Sequence, residues 1–197
     1  MINKEYFFPT CIYIKDLPDV KKFNEDLTEH VIKWKSADEG LKKTNVNGWH
    51  SKTDMHLRPE YKALVNHLEE MQREIFQEEH LESEPYLGNM WANVNPPGGY
   101  NRPHLHPNCL FSGVYYIKAP KNSGVLKLID PRSGAHTVMP RRKPGELPPQ
   151  FWRDVNYQPL DGRIIMFPAW MWHEVETNLS NEIRVSVSFN FIQKGFE

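Results

Sequence analysis

The sequence contains few cysteines, no long hydrophobic segment and no marked excess of either charge. Its only cysteines, Cys11 and Cys109, form no CxxC pair, which predicts free thiols in a reducing compartment and no disulfide. No run of about 18 apolar residues occurs and no small-residue cleavage site follows the short N-terminal apolar run, so we expect a cytoplasmic protein without a membrane segment. With 24 Lys and Arg against 25 Asp and Glu, no basic field indicates a nucleic-acid partner.

The remaining composition is typical of an ordinary globular protein. The chain has 197 residues, of which 39% are hydrophobic and 25% charged, and we expect residues 1–197 to form one domain. Within residues 1–85, the stretch "FFPTCIYIKDL" predicts a strand. Two later stretches place apolar residues three or four positions apart and predict amphipathic helices, one through Val20, Phe23, Leu27, Val31 and Trp34, the other through Tyr61, Leu64, Leu68, Met71 and Ile75.

Residues 86–193 differ in character from the segment before them. Short runs rich in Val, Ile, Tyr, Phe and Trp are separated by Gly, Pro and Asn, which predicts many short strands in two sheets. We therefore predict an α+β, mainly β fold: a jelly roll or double-stranded β-helix, cupin-like, with two N-terminal supporting helices. A proline-dense segment from Asp130 to Pro159 lacks any periodicity, and the sequence leaves open whether it covers the mouth of the sandwich or is a plain surface loop.

Three histidines are candidate metal ligands. In "NRPHLHPN", His104 and His106 are two residues apart, so in an extended strand both imidazoles would lean toward one point. A pair like this is also common in solvated loops. In "GRIIMFPAWMWHEV", however, a turn after Pro168 brings His173 to the start of a further strand, and strand ends are positions where sites are built on β scaffolds.

An arginine follows on the last long strand. In "RVSVSFNF", Val185 and the alternate apolar residues after it share one face, so Arg184, Ser186, Ser188 and Asn190 share the other. A buried guanidinium requires an anion, and its planar fork suits a carboxylate. The alternatives at this stage are an ion pair with an Asp or Glu of the same chain, or an arginine in solvent.

Together these residues resemble the 2-oxoglutarate and Fe(II)-dependent oxygenases, in particular the small prolyl-hydroxylase-like group. That family has an HxD pair before a strand, a distal His near the end of the barrel and an Arg in an RxS arrangement after it. Here His104 and His106, then His173, then Arg184 with Ser186 follow in the same order within residues 86–193. The resemblance implies Fe(II) as the metal, 2-oxoglutarate as cosubstrate, and hydroxylation of an unidentified substrate with O2, releasing succinate and CO2.

His106 departs from the family pattern, which has Asp in its place. The resemblance then implies a site of His104, His106 and His173, or a two-histidine site in which His106 has another task. A third option pairs His106 with Asn108. Three neutral imidazoles keep the facial geometry of such iron sites but leave more positive charge on the metal, which should tighten an anionic chelate.

The resemblance also implies residues that hold the cosubstrate. Arg184 would pair with the distal carboxylate, with Ser186 beside it and Tyr116 adding a hydroxyl. Asn93 could hydrogen-bond the cosubstrate, although asparagine next to "PPGG" also suits a turn. Asp130 is the one nearby acid that could complete the coordination.

Two other functions remain open from the sequence. "HLH" with a distal histidine also resembles a cupin, a three-histidine metal enzyme or dioxygenase that does not use 2-oxoglutarate. A β-sandwich without catalysis could use Trp91, Trp170 and Trp172 to contact carbohydrate or protein. The aromatic N-terminal strand would further suit the edge of a homodimer.

Overall fold

The computed structural model describes residues 2–137 and 141–193. Two helices, α1 (Lys21–Ala37) and α2 (Lys62–Glu78), precede most of the strands, and four short 3-10 turns connect other elements. The strands are β1 (Tyr13–Asp16), β2 (Asn45–Val46), β3 (Trp49–His50), β4 (Tyr86–Asn95), β5 (Tyr100–His104), β6 (Phe111–Lys118), β7 (Leu126–Ile129), β8 (Asp154–Tyr157), β9 (Arg163–Pro168), β10 (His173–Val175) and β11 (Arg184–Ile192).

The strands form two antiparallel sheets, which confirms the predicted mainly β jelly roll. The larger sheet has the order β1-β9-β6-β11-β4-β3, and the smaller one has the order β2-β5-β10-β7-β8. β11 is central in the larger sheet, paired with β4 on one side and β6 on the other. β1 lies at an edge of the larger sheet, as an edge-to-edge homodimer would require, and that association stays a prediction.

The main hydrophobic core lies outside the sandwich, between the larger sheet and the two helices. Val185, Val187, Phe189 and Phe191 of β11 are fully buried there against residues of both helices, as the strand alternation predicted. A smaller apolar cluster that includes Leu126, Leu128 and Phe167 fills one part of the space between the sheets. The opposite, polar face of β11 therefore looks into the sandwich, where it can form a site.

Four short strands were not predicted from the sequence. β2 and β3 lie in the N-terminal 85 residues, β5 ends at His104, and β8 lies in the proline-dense segment, where it pairs with β7. Strands this short show no clear periodicity, and their pairing partners are distant in the chain. Cys11 and Cys109 are free, as predicted. Within the described ranges, no helix is long and apolar enough to cross a membrane.

Candidate metal centre

His104, His106 and His173 come together at one point between the two sheets. One ring nitrogen from each lies within 4.8 Å of the others. The ring centroids of His104 and His173 are 4.2 Å apart, and that of His106 is 5.0 Å from each. Among residues 2–137 and 141–193, this is the only group of three or more His, Cys, Asp or Glu side chains so arranged.

Sheet pairing explains why these positions converge. His104 is the last residue of β5 and stands directly opposite His173, the first residue of β10, in the antiparallel pair. The chain turns after β5, and the backbone N–H of His106 donates to the carbonyl of Ala169 in the turn that precedes His173 (3.0 Å). The two histidine-bearing segments are thus held to each other by their main chains.

Each ring has its Nδ1 engaged by an acceptor. His104 Nδ1 donates to the carbonyl of Arg102 (2.7 Å), and His173 Nδ1 donates to the carbonyl of Met171 (3.0 Å). His106 Nδ1 lies 2.6 Å from Oδ1 of Asn190. Because a carbonyl oxygen can only accept, each Nδ1 carries the proton and each Nε2 keeps its lone pair. Three imidazoles in this state are competent metal ligands.

Burial keeps the three imidazoles neutral. Desolvation lowers the pKa of His104 and lowers that of His106 to about 4. For His173, which is 4% exposed, desolvation lowers the pKa to about 3 and the neighbouring His104 adds to the effect. Protons therefore do not compete with a cation for these nitrogens at neutral pH.

Arg184 lies in the same cavity, about 330 Å³ in volume, that the three histidines line. The side chain is 1% exposed, and its Nη1 donates to backbone carbonyls of Ser123, Gly124 (3.2 Å) and Glu176 (3.4 Å). Its Nε and Nη2 are buried and have no hydrogen-bond partner among the described residues. Desolvation lowers the pKa of the guanidinium to about 10, and no carboxylate of the described residues offsets this shift. Within residues 2–137 and 141–193, Arg184 therefore forms no ion pair, and it is not exposed to solvent.

Tyr116, Ser186 and Asn93 form a row across three adjacent strands beside Arg184. Ser186 of β11 is opposite both Tyr116 of β6 and Asn93 of β4, and all three line the cavity. Burial raises the pKa of Tyr116 to about 12, so its hydroxyl is protonated and can donate. Asn93 Nδ2 donates to Ser188 Oγ (3.1 Å), while its buried Oδ1 has no partner in the described chain. Rotation of this amide by half a turn would present its N–H₂ to a ligand instead.

His50 lines this cavity and was not predicted from the sequence. His50 of β3 is buried and stacks on Trp91, with ring centroids 5.3 Å apart and planes 10° apart, and Trp91 in turn lies 5.6 Å from His106. His50 Nδ1 donates to the carbonyl of Ser51 (2.6 Å), so its Nε2 is an acceptor. A two-residue strand carries no sequence signal, and only the pairing of His50 with Asn93 brings it to the cavity.

Several other candidates from the sequence lie elsewhere. Asp130 is paired with Arg132 (2.8 Å) and does not line the cavity. Asn108 has a positive φ of 61° in the turn after His106 and also lies outside the cavity, so the pair brought together is His104 and His106. Trp170 and Trp172, considered from the sequence as contact residues for carbohydrate or protein, are about half exposed at 52% and 48%.

The described part of the proline-dense segment does not cover this site. It contributes to a second cavity of about 810 Å³, shared with the N-terminal aromatic residues Tyr6, Phe7 and Phe8. Of its basic residues, Arg132 is paired with Asp130, and Arg142 packs over the ring of Phe151 at 3.6 Å. Residues 138–140 of this segment lie outside the described ranges. Among the residues described, the part of the segment outside β8 is thus better interpreted as a surface loop than as a cover over this site.

The residues present fit a divalent metal and a dicarboxylic acid. Three neutral imidazole nitrogens from one side leave the opposite side of a cation free for other ligands, which suits non-haem Fe(II). The two orphaned N–H groups of Arg184 suit a carboxylate that binds through both oxygens.

Comparison with known proteins agrees with this fit. Residues 89–190, about half of the chain, match the model of a family described as "Putative 2OG-Fe(II) oxygenase". No curated protein shows significant sequence similarity to the chain.

Solved structures with the same fold are numerous. A Pseudomonas putida prolyl-4-hydroxylase is 15% identical, with 94% of each chain covered and a TM-score of 0.66. The epimerase SnoN from nogalamycin biosynthesis is 14% identical, with 93% of this chain and 76% of that chain covered and a TM-score of 0.69. HygX from Streptomyces hygroscopicus, solved with nickel, 2-oxoglutarate and hygromycin B, is 9% identical, with 94% and 84% covered and a TM-score of 0.66.

Proposed function

We propose that this chain, which belongs to the 2OG-Fe(II) oxygenase family, hydroxylates a C–H bond of its substrate and releases succinate and CO2. Family membership makes it a non-haem iron oxygenase with Fe(II) as metal and 2-oxoglutarate and O2 as cosubstrates. We further propose His104, His106 and His173 as the metal ligands. The observation that carries the proposal is the convergence, on a single cavity, of three neutral imidazoles and one guanidinium that has no carboxylate partner among the described residues.

The histidines would hold Fe(II) through their Nε2 atoms, since every Nδ1 is engaged. Bound Fe(II) and 2-oxoglutarate supply O2 activation and the oxidative decarboxylation of the keto acid. The protein's residues orient the reactants and exclude bulk water. Because His106 replaces a carboxylate, the site itself contributes no negative charge, and an anionic keto acid would be held more tightly by the cation.

At the other end of the cavity, Arg184 would bind the distal carboxylate of 2-oxoglutarate through Nε and Nη2. This arrangement supplies the anion that an otherwise unpaired buried guanidinium lacks. We propose that the Tyr116 hydroxyl donates a hydrogen bond to the same carboxylate. Ser186 and Asn93, which stand opposite each other on neighbouring strands, would then border the cosubstrate on the remaining side.

The alternatives from the sequence account for less of the geometry. A cupin-type enzyme that does not use 2-oxoglutarate has no need for a buried arginine without a carboxylate partner. A non-catalytic sandwich that uses Trp91, Trp170 and Trp172 for contact would need all three rings exposed. Trp170 and Trp172 are half exposed, but Trp91 packs next to His50 and is 9% exposed. Neither is proposed.

The test uses the full-length protein reconstituted with Fe(II) under argon. We expect addition of 2-oxoglutarate to give a visible metal-to-ligand charge-transfer band, and exposure to air to yield succinate even without the substrate, through slow uncoupled turnover. His173→Ala is the matched control. Absence of both the band and the succinate would refute the proposed function.

A further inference from the structure

The Nδ1 of His106 contacts side chains, whereas the Nδ1 atoms of the other two histidines of the cluster contact the backbone. His104 and His173 donate to backbone carbonyls, which are always acceptors. The Nδ1 of His106 instead faces two side chains, with Asn190 Oδ1 at 2.6 Å and Ser112 Oγ at 2.8 Å. Since a hydroxyl can either accept or donate, the protonation of this nitrogen depends on what the two side chains do with their own protons.

A row of polar residues across β4, β11 and β6 determines whether Nδ1 of His106 carries the proton. Asn190 of β11 stands directly opposite Ser112 of β6 and Asn89 of β4. Asn190 Nδ2 donates to Asn89 Oδ1 (2.7 Å), so its Oδ1 is the atom turned toward His106. The hydroxyl of Ser112 donates its single proton to the same Oδ1 (2.7 Å). Both neighbours of His106 Nδ1 therefore accept, and the ring must carry its proton there.

This row matters because the position is occupied by Asp in related oxygenases. A carboxylate has two equivalent oxygens and needs no particular tautomer, whereas an imidazole binds metal through Nε2 only if Nδ1 holds the proton. An aspartate would also place negative charge against Asn190 Oδ1. The acceptor atoms that suit the N–H of His106 would thus repel a carboxylate at this position, unless the side-chain amides of Asn190 and Asn89 both rotated to exchange their O and N atoms.

We propose that Asn190, supported by Ser112 and Asn89, is the positioning residue that fixes His106 as the Nδ1–H tautomer with Nε2 turned into the cluster. This inference rests on the proposed metal site. In this inference, Asn89, Asn190 and Ser112 hold His106 in the tautomer that can bind the metal as the third ligand.

The first measurement needs no metal. Long-range ¹H–¹⁵N NMR on metal-free protein with labelled histidines reports which nitrogen of His106 is protonated, and we expect Nδ1–H. In Asn190→Leu the Ser112 hydroxyl loses its acceptor and can donate to His106 Nδ1, so we expect the ring to shift toward Nε2–H. Asn190→Asp keeps an acceptor and should restore Nδ1–H. Ser188→Ala is the matched control, because Ser188 lies on the same face of β11 but bonds Asn93.

The second measurement is calorimetric titration of the same proteins with Fe(II) under argon. We expect affinity to fall about 10- to 100-fold in Asn190→Leu, in line with the loss of a residue that orients a ligand, and to recover in Asn190→Asp. If Asn190→Leu does not fold, Ser112→Ala tests the role of Asn190 instead. Asn190 Oδ1 still accepts from His106 in that variant, so the wild type and Ser112→Ala must both show Nδ1–H.

The outcomes separate the two proposals. Nε2–H in the wild-type protein, or an unchanged tautomer and affinity in Asn190→Leu, overturns the role of Asn190 alone. Failure of the wild-type protein to bind Fe(II) overturns the proposed metal site and this inference with it.

Discussion

Replacing Arg184 by methionine should abolish the preference of the protein for a dicarboxylic keto acid. The guanidinium offers two nitrogen donors, Nε and Nη2, that have no partner among the described residues, and hydrogen bonds to a charged partner are worth about 1.5–3 kcal/mol each. Truncating one member of a buried charge pair costs about 2–5 kcal/mol. At about 1.4 kcal/mol per tenfold, the dissociation constant of 2-oxoglutarate should rise from about 30-fold to several thousandfold. Methionine fills much of the same volume without leaving a buried charge.

A thermodynamic cycle separates the contact between Arg184 and the distal carboxylate from any general effect of the substitution on the fold. Anaerobic titrations of the Fe(II)-loaded wild type and Arg184→Met would use 2-oxoglutarate and 2-oxopentanoate, in which a methyl group replaces the distal carboxylate. We expect the substitution to weaken binding of the first ligand only, with a coupling energy of about 2–5 kcal/mol. Arg132→Met is the matched control, since Arg132 pairs with Asp130 and does not line the cavity. Equal losses for both ligands would refute the proposed role of Arg184.

Three further outcomes follow from the geometry of the site. His173→Ala removes one of three converging nitrogens, so elemental analysis after Fe(II) loading and desalting should find far less than one iron per chain, and retention of one would contradict the ligand set. Gly124→Ala should lower the melting temperature and weaken 2-oxoglutarate binding, because φ is +89° and the new Cβ would lie 2.2 Å from the Glu176 carbonyl and 2.9 Å from Arg184 Nη1. A left-handed backbone costs a non-glycine residue about 1–2 kcal/mol even before any clash. Unchanged thermal unfolding would argue against this packing. His50→Phe should leave the iron content unchanged, since His50 is not in the three-histidine group, and loss of iron in this variant would identify it as a further ligand.

Much of the fold was predictable because long elements carry strong periodic signals. The two helices show apolar residues three or four positions apart, and both were located to within a few residues of their ends. β11 alternates so regularly that the sequence assigned its apolar and polar faces correctly. The sequence did not indicate which layer each face meets, because alternation is the same whether the apolar side contacts helices or a second sheet.

The candidate site was predictable only in part. The three histidines and Arg184 stood out from their spacing and from strand alternation, and their order along the chain resembles that of a known family. His50 was missed because nothing in "NGWH" distinguishes a cavity residue from a turn. The row of Asn89, Asn190 and Ser112 was missed because its members are far apart in the chain, and only the strand register makes them neighbours.

By itself, the sequence determined the kinds of element, the polar face of β11 and the chemistry available, because these depend on residue identity and on spacing along one segment. The tertiary structure alone decided that the three imidazoles share one point, that Arg184 has no carboxylate partner in the described part of the chain, and that Asn190 accepts from His106. Each of these facts depends on register between strands that lie far apart in the chain, and a register is set by packing of the whole sandwich.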